Sequence, residues 1–248
     1  MPRALSGLLA VVCCSAAAAS ARAQQTLNPN LERMANDAYT RSHDYDIVHQ
    51  RIAVRDFSWD STSFVGHVET TVIARRPALD SVIPDAGKLL LVRKVTAPNG
   101  GALRSSRHGD TLVVYLAKPV AMDDTVRFTI DYDAHIESGH GLTFIEQRPK
   151  SPRQIWSQGE SMDNHYWFPT YDFPNDKMTW EVDATVPTGY VAVSNGSLLG
   201  DRPAGAGMHT LRWSQATPAS TYLVSLIVEP LVKVHDTYRN IPMDAYVY

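Results

Sequence analysis

Residues Thr125 to Asp133 read TVRFTIDYD, in which Val126, Phe128, Ile130 and Tyr132 alternate with Thr125, Arg127, Thr129, Asp131 and Asp133. A period of two sends apolar side chains to one face of an extended chain and polar ones to the other, the pattern of a half-buried strand. Farther along, Lys177 to Val186 (KMTWEVDATV) repeats it, with Met178, Trp180, Val182, Ala184 and Val186 on the apolar side. Shorter stretches that read as strands are Tyr45–Val54, Gly66–Ala74, Leu89–Val95, Leu112–Leu116, Gln154–Ser157, Val191–Ser194 and Leu211–Trp213. Tyr222 to Val228 is nearly continuous apolar and predicts a strand buried on both faces. Turn chemistry separates the segments at Pro98-Asn99-Gly100-Gly101, His108-Gly109-Asp110, Asn195-Gly196 and Pro203-Ala204-Gly205. Gly200 to Gly207 (GDRPAGAG) predicts a flexible hairpin loop. Almost no helical periodicity follows Tyr39. The expected fold is therefore all-β, an antiparallel β-sandwich or saddle-like pair of curved sheets in one domain, without internal repeats.

Ahead of this region, residues 1–23 read as a signal peptide. Arg3 gives a positive start, Leu5 to Ala19 a small-residue apolar core, and Ala21-Arg22-Ala23 an A-x-A cleavage site. The apolar stretch is short for a bilayer crossing of about 20 residues, and no later run is long enough to make one. An exported protein, periplasmic or secreted, is expected. Residues 24–42 form a leader: Asn28-Pro29 followed by Leu31, Met34 and Ala38 predicts a short capped helix. The β domain is expected over 43–248.

Removing 23 of the 248 residues leaves 225, and the loss of Arg3 and Arg22 takes the net charge from −3 to −5. Basic residues are scattered rather than clustered, which argues against a nucleic-acid or anionic-membrane partner. Both cysteines, Cys13 and Cys14, lie in the signal segment, so disulfides, thiolate metal sites and cysteine nucleophiles are not expected in the mature chain.

Gln158 and Glu160 are the candidate binding residues. They follow a strand-like segment and flank Gly159, which lets the backbone approach a neighbour closely. If the chain stays extended, their spacing turns both side chains to one side. A carboxylate beside a carboxamide suits a protonated amine, and at ~4 Å and an effective dielectric near 20 the ion contact is worth roughly 4 kcal/mol before desolvation. On spacing alone a merely solvated loop glutamate is the stronger reading. Tyr166–Phe168, Tyr171 and Phe173, beside Pro169 and Pro174, read as a core plug more than a ligand platform. Asp172 reads as a turn cap through its own backbone. None of the nine histidines is followed by Glu, and no two are four apart, so His-Glu-x-x-His is missing and no metal ligand is expected in this chain. No G-x-S-x-G elbow, P-loop or dinucleotide fingerprint occurs either. Asn195-Gly196-Ser197 fits a glycosylation acceptor but reads more simply as a turn.

The segment Ile155 to Glu181, IWSQGESMDNHYWFPTYDFPNDKMTWE, resembles the substrate-anchoring segment of the aminopeptidase N family of zinc metallopeptidases. Gln158, Glu160, the run Trp167 to Pro174 and Asn175-Asp176-Lys177 match position by position. Similarity continues through Val186-Pro187, Val193 to Gly196 and Pro218 to Leu226, and upstream through Asp46–Val54 and Phe64–Gly66. The resemblance implies that Glu160 binds the free α-amino group of a peptide and that Gln158 sits beside its first side chain. His165 stands where the family commonly carries Arg, and Thr170 where Cys is frequent, which puts a structural salt link or a packing detail in doubt. The family's zinc motif and its Gly-Ala-Met-Glu-Asn stretch are missing, and the chain stops at Tyr246-Val247-Tyr248, inside an apparent strand. The resemblance therefore implies the N-terminal domain of a longer zinc aminopeptidase, with zinc and its ligands in a C-terminal catalytic domain. No catalytic residue is then expected in this chain, which alone would be inactive. The alternative is a stand-alone secreted β-sandwich that binds a partner without catalysis.

Overall fold

The computed structural model describes residues 44–137 and 139–247. The expected signal peptide and leader helix lie outside the described residues. Within them the chain forms strands β1 (Tyr45–Ser58), β2 (Ser63–Ala74), β3 (Leu79–Val82), β4 (Leu90–Thr96), β5 (Ser105–His108), β6 (Thr111–Val120), β7 (Thr125–His135) and β8 (Gly141–Ile145). The second half adds β9 (Gln154–Gln158), β10 (Lys177–Pro187), β11 (Val191–Ser194), β12 (Ser197–Gly205), β13 (Met208–Ser220), β14 (Leu226–Glu229), β15 (Val232–Tyr238) and β16 (Ile241–Val247). Short 3-10 turns lie at Asn164–Tyr166 and Thr221–Leu223.

Seven strands make the main sheet, in the order β12-β13-β10-β1-β2-β7-β4. Its neighbours are antiparallel except β1 and β10, which run parallel from His49 opposite Thr179 to Val54 opposite Ala184. A purely antiparallel sheet is thus corrected at this one pair. Parallel neighbours need a long crossover, and here β2 through β9 supply it. A four-stranded sheet (β11-β14-β9-β8), a three-stranded sheet (β3-β6-β5) and the β15-β16 hairpin complete the fold.

The period-two reading of the sequence maps onto burial. In β7 the side chains of Val126, Phe128, Ile130 and Tyr132 are buried, and in β10 those of Met178, Trp180, Val182, Ala184 and Val186. They meet Leu142, Ile155, Leu226 and Val228 of the four-stranded sheet and Leu79, Val82, Leu112 and Val114 of the three-stranded one in a single core. Full burial of each such side chain contributes about 1.5–3 kcal/mol. Two expectations fail. Tyr222–Val228 is not one doubly buried strand: Thr221–Leu223 is a 3-10 turn, and in β14 Leu226 and Val228 are buried while Ile227 is exposed. Gly200–Gly207 is not a free loop, because Gly200 to Gly205 belong to β12, which pairs with β13 and reverses at Ala206-Gly207. With β12 exposed along its length, burial left no alternation in its sequence.

Candidate functional site

β9 lies between β14 and β8, and its ladder ends with Gln158 opposite Gly141. Gly159 comes next and is buried. A Cβ there would stand 2.5 Å from the Tyr222 carbonyl oxygen and 2.6 Å from the Asn164 carboxamide, so only glycine fits. The chain does not stay extended beyond it. Residues 160–163 turn, with the Asp163 N–H donating to the Gly159 carbonyl at 3.0 Å and a cis peptide between Glu160 and Ser161.

Asn164 fixes the turn from below. Fully buried, it donates through Nδ2 to the carbonyls of Thr221 (2.6 Å) and Val224 (3.1 Å) and accepts from Trp167 Nε1 at 2.7 Å. Nothing in its local sequence marked it. Trp167 and Phe168 have no exposed surface and pack edge to face at 4.5 Å, and Tyr171 is buried with them, so these rings are core, whereas Tyr166 lines the cleft described below. The main sheet holds the same segment by two buried bonds: Tyr132 Oη donates to the Trp167 carbonyl (2.9 Å), and Gln50 Nε2 to the Pro169 carbonyl (3.0 Å). Tyr132 reaches it because Gly66 leaves room, where a Cβ would lie 2.1 Å from the phenol ring.

Asp172 does not cap its own turn. Its Oδ2 accepts the His165 N–H and His165 Nδ1, each at 2.9 Å, and its own N–H donates to Asp85 Oδ2 at 2.9 Å. Asp85 exchanges two backbone bonds with Thr170, at 2.7 and 2.9 Å. Burial opposes charge on the His165 imidazole, but the hydrogen bond and charge of Asp172, with Asp85 and Asp110 beyond, outweigh it and raise its pKa. His165 therefore still makes a link to a carboxylate, one that depends on protonation.

Above these groups opens a cleft of about 610 Å³. Five carboxylates line it, from Asp85, Asp110, Glu160, Asp163 and Asp172, against one basic side chain, His165. Asp110 Oδ1 accepts the Lys88 N–H at 2.7 Å, and Asp163 lies 3.6 Å from His140. Glu160 is exposed, and its carboxylate makes no hydrogen bond or ion pair among the described residues. Burial, followed by the charges of Asp110 and Asp163, pushes the Tyr166 phenol up, as a negative field does. Such a cleft can hold and orient a cation. Of the two residues singled out from sequence, Glu160 lines the cleft, whereas Gln158, exposed at the end of β9, does not. Asp85, Asp110 and Asp163 were not foreseen; folding alone brings these positions together. Among the described residues no group of three His, Cys, Asp or Glu side chains is placed to hold a metal ion.

The sequence profile of the Peptidase M1 N-terminal domain family matches residues 44–223. Aminopeptidase N of Acetobacter pasteurianus is 26% identical over 141 residues, covering 57% of this chain and 36% of that protein. Aminopeptidase B of Rattus norvegicus is 25% identical over 129 residues, 51% of this chain and 19% of that protein. The crystal structure of an M1 zinc metallopeptidase from Deinococcus radiodurans superposes with a TM-score of 0.67 at 26% identity, over 78% of this chain and 44% of that one. A mutant of that enzyme bound to a Tyr-Ser-Ala substrate gives 0.68 at 24% identity over 81% and 46%, which speaks for the fold. This chain thus spans less than half the length of each.

Proposed function

The chain belongs to the peptidase M1 N-terminal domain family, and from that premise we propose that it is the substrate-anchoring domain of an exported zinc aminopeptidase. Glu160 pairs with the α-ammonium of a peptide in the acidic cleft, and Gln158, just ahead of it on β9, helps frame the first side chain. Fixing the amine by one charge sets the distance to the scissile bond, which is how removal of a single N-terminal residue is counted. The observation that carries this reading is the Glu160 carboxylate, unpaired among the described residues, in a cleft whose other walls are already negative. The ligands that would hold zinc, and so the ion that would activate a water, belong to a further, C-terminal domain. The exposed apolar residues of the β15-β16 hairpin, Val232, Val234, Tyr238, Ile241 and Met243, follow the matched region and suit contact with that domain. Export rests on the sequence of residues 1–23.

The test uses the enzyme made from the complete reading frame. Exchanging Glu160 for Ala should raise KM for aminoacyl reporters roughly ten- to a hundredfold, the part of the ion contact that survives desolvation. If KM and kcat both stay unchanged, Glu160 does not anchor the substrate.

A further inference from the structure

The outward face of the seven-stranded sheet carries a second concavity, of about 320 Å³. Arg202 of β12 lines it from one edge of the sheet, Ala53 and Arg55 of β1 from the centre, and Arg93 of β4 from the other edge. Side chains from both edge strands can share one hollow only where the sheet between them curls into a trough. Irregular registers in β1, β4 and β13 supply local bends for that curl.

Charge in the trough runs against that of the chain, which is −3 overall. Its two carboxylates are already matched. Asp131 Oδ1 lies 2.6 Å from His67 Nδ1, and Asp183 sits between Arg51 at 2.6 Å and Arg212 at 2.7 Å. Burial pushes the Asp183 carboxyl up, but hydrogen bonds and charge from those two arginines hold it below its ordinary value. The three trough arginines, by contrast, keep free donors. The Arg202 side chain makes no hydrogen bond or ion pair among the described residues. Arg93 meets Asp133 at 3.4 Å and the Tyr132 carbonyl at 3.5 Å, and Arg55 engages its neighbour Asp56 through Nη1. A guanidinium has five N–H donors in a fork that matches a carboxylate.

We propose that this trough is a binding site for a ligand bearing two or more carboxylates, held by Arg55, Arg93 and Arg202. Three forks on three strands leave donors unused with a single carboxylate, so multiple charges are selected. The trough shares no lining residue with the Glu160 cleft, and its occupancy does not depend on the function proposed above. The carboxylates come either from a small polycarboxylic acid or from an acidic peptide segment.

Calorimetric titration of the 248-residue chain at low ionic strength, with citrate in one arm and tetra-aspartate in the other, separates the two sources. At least one binds, and the Arg93→Gln/Arg202→Gln double variant weakens it about a hundredfold, about tenfold for each charge-assisted contact removed. Lys150→Gln, which removes an exposed cation outside the trough, leaves binding within twofold. Circular dichroism confirms that each variant is folded. Should the double variant not fold, Arg202→Gln alone carries the test, because its side chain makes no hydrogen bond or ion pair among the described residues. The proposal is overturned if neither ligand binds, if a folded arginine variant binds like the parent, or if Lys150→Gln weakens binding as much.

Discussion

Asp176 is a carboxyl group in the wrong place for its charge. It is 5% exposed, and burial first, then the charge of Asp46, pushes it up to about 7, against backbone N–H donors from Ile47 and Lys177. The unfolded chain releases this proton near pH ~4, whereas the folded chain keeps it to about 7. Stability from Asp176 is therefore full below the unfolded value and is lost as pH rises through the folded one. His165, also raised, acts in the same sense. Asp183 and Asp244 are lowered and act oppositely, but only at the acid end. Thermal melting should rise as the pH falls from 8 to 5. Asp176→Asn should remove most of that slope and stabilise the domain at pH 8 by on the order of 2 kcal/mol. A slope unchanged in the variant would place the titrating group elsewhere. Gly159 gives a second test. Its missing Cβ makes room for the Tyr222 carbonyl, so Gly159→Ala should cost about 2 kcal/mol or more of stability in denaturant titration and displace Glu160 with it.

Among the elements, those buried on one face could be read from sequence and those without a buried face could not. β7 and β10 announce themselves because Tyr132 and Trp180 point inward while Asp131 and Glu181 point out. β12 hides because Leu198, Leu199 and Arg202 are all exposed, and its Gly and Pro content imitates a loop. The apolar run Tyr222–Val228 is longer than β14 because Tyr222 and Leu223 belong to a turn in which the Thr221 carbonyl satisfies Asn164, a contact that no local pattern encodes. The parallel β1–β10 pair carries a bond set of its own: Asp183 on β10 accepts from Arg51 on β1 and from Arg212 on β13. Asp183→Ala would leave two like charges facing each other across three strands. With both arginines about a third exposed, the expected loss is about 2 kcal/mol rather than the larger cost of a fully buried orphan. Urea denaturation of this variant beside Arg51→Ala/Asp183→Ala checks it, since the double variant should recover part of the loss.

For the molecule as a whole, a sequence resemblance singled out Glu160, the anchoring residue proposed above, but only the fold supplied the cleft around it. Glu160 stands within a recognisable segment, whereas Asp85 and Asp110 lie 75 and 50 residues before it; Asp85 is tied to that segment by backbone bonds to Thr170, and Asp110 by accepting the Lys88 N–H next to Gly87, whose own N–H donates to the His165 carbonyl. That separation is why the acidic surroundings of Glu160 left no mark in any window of the chain. The proposed division of labour also predicts that the 248-residue chain alone releases no amino acid from aminoacyl reporters. Stoichiometric zinc together with turnover in the purified chain would overturn that division. The most direct measurement compares an alanyl reporter with its N-acetylated counterpart, in the complete enzyme and in its Glu160→Gln variant. If Glu160 grips the ammonium, the ratio of kcat/KM for the free amine over the acetylated substrate falls at least about tenfold in the variant, through the free-amine value alone. A ratio that does not move would mean that another group reads the peptide's charged end.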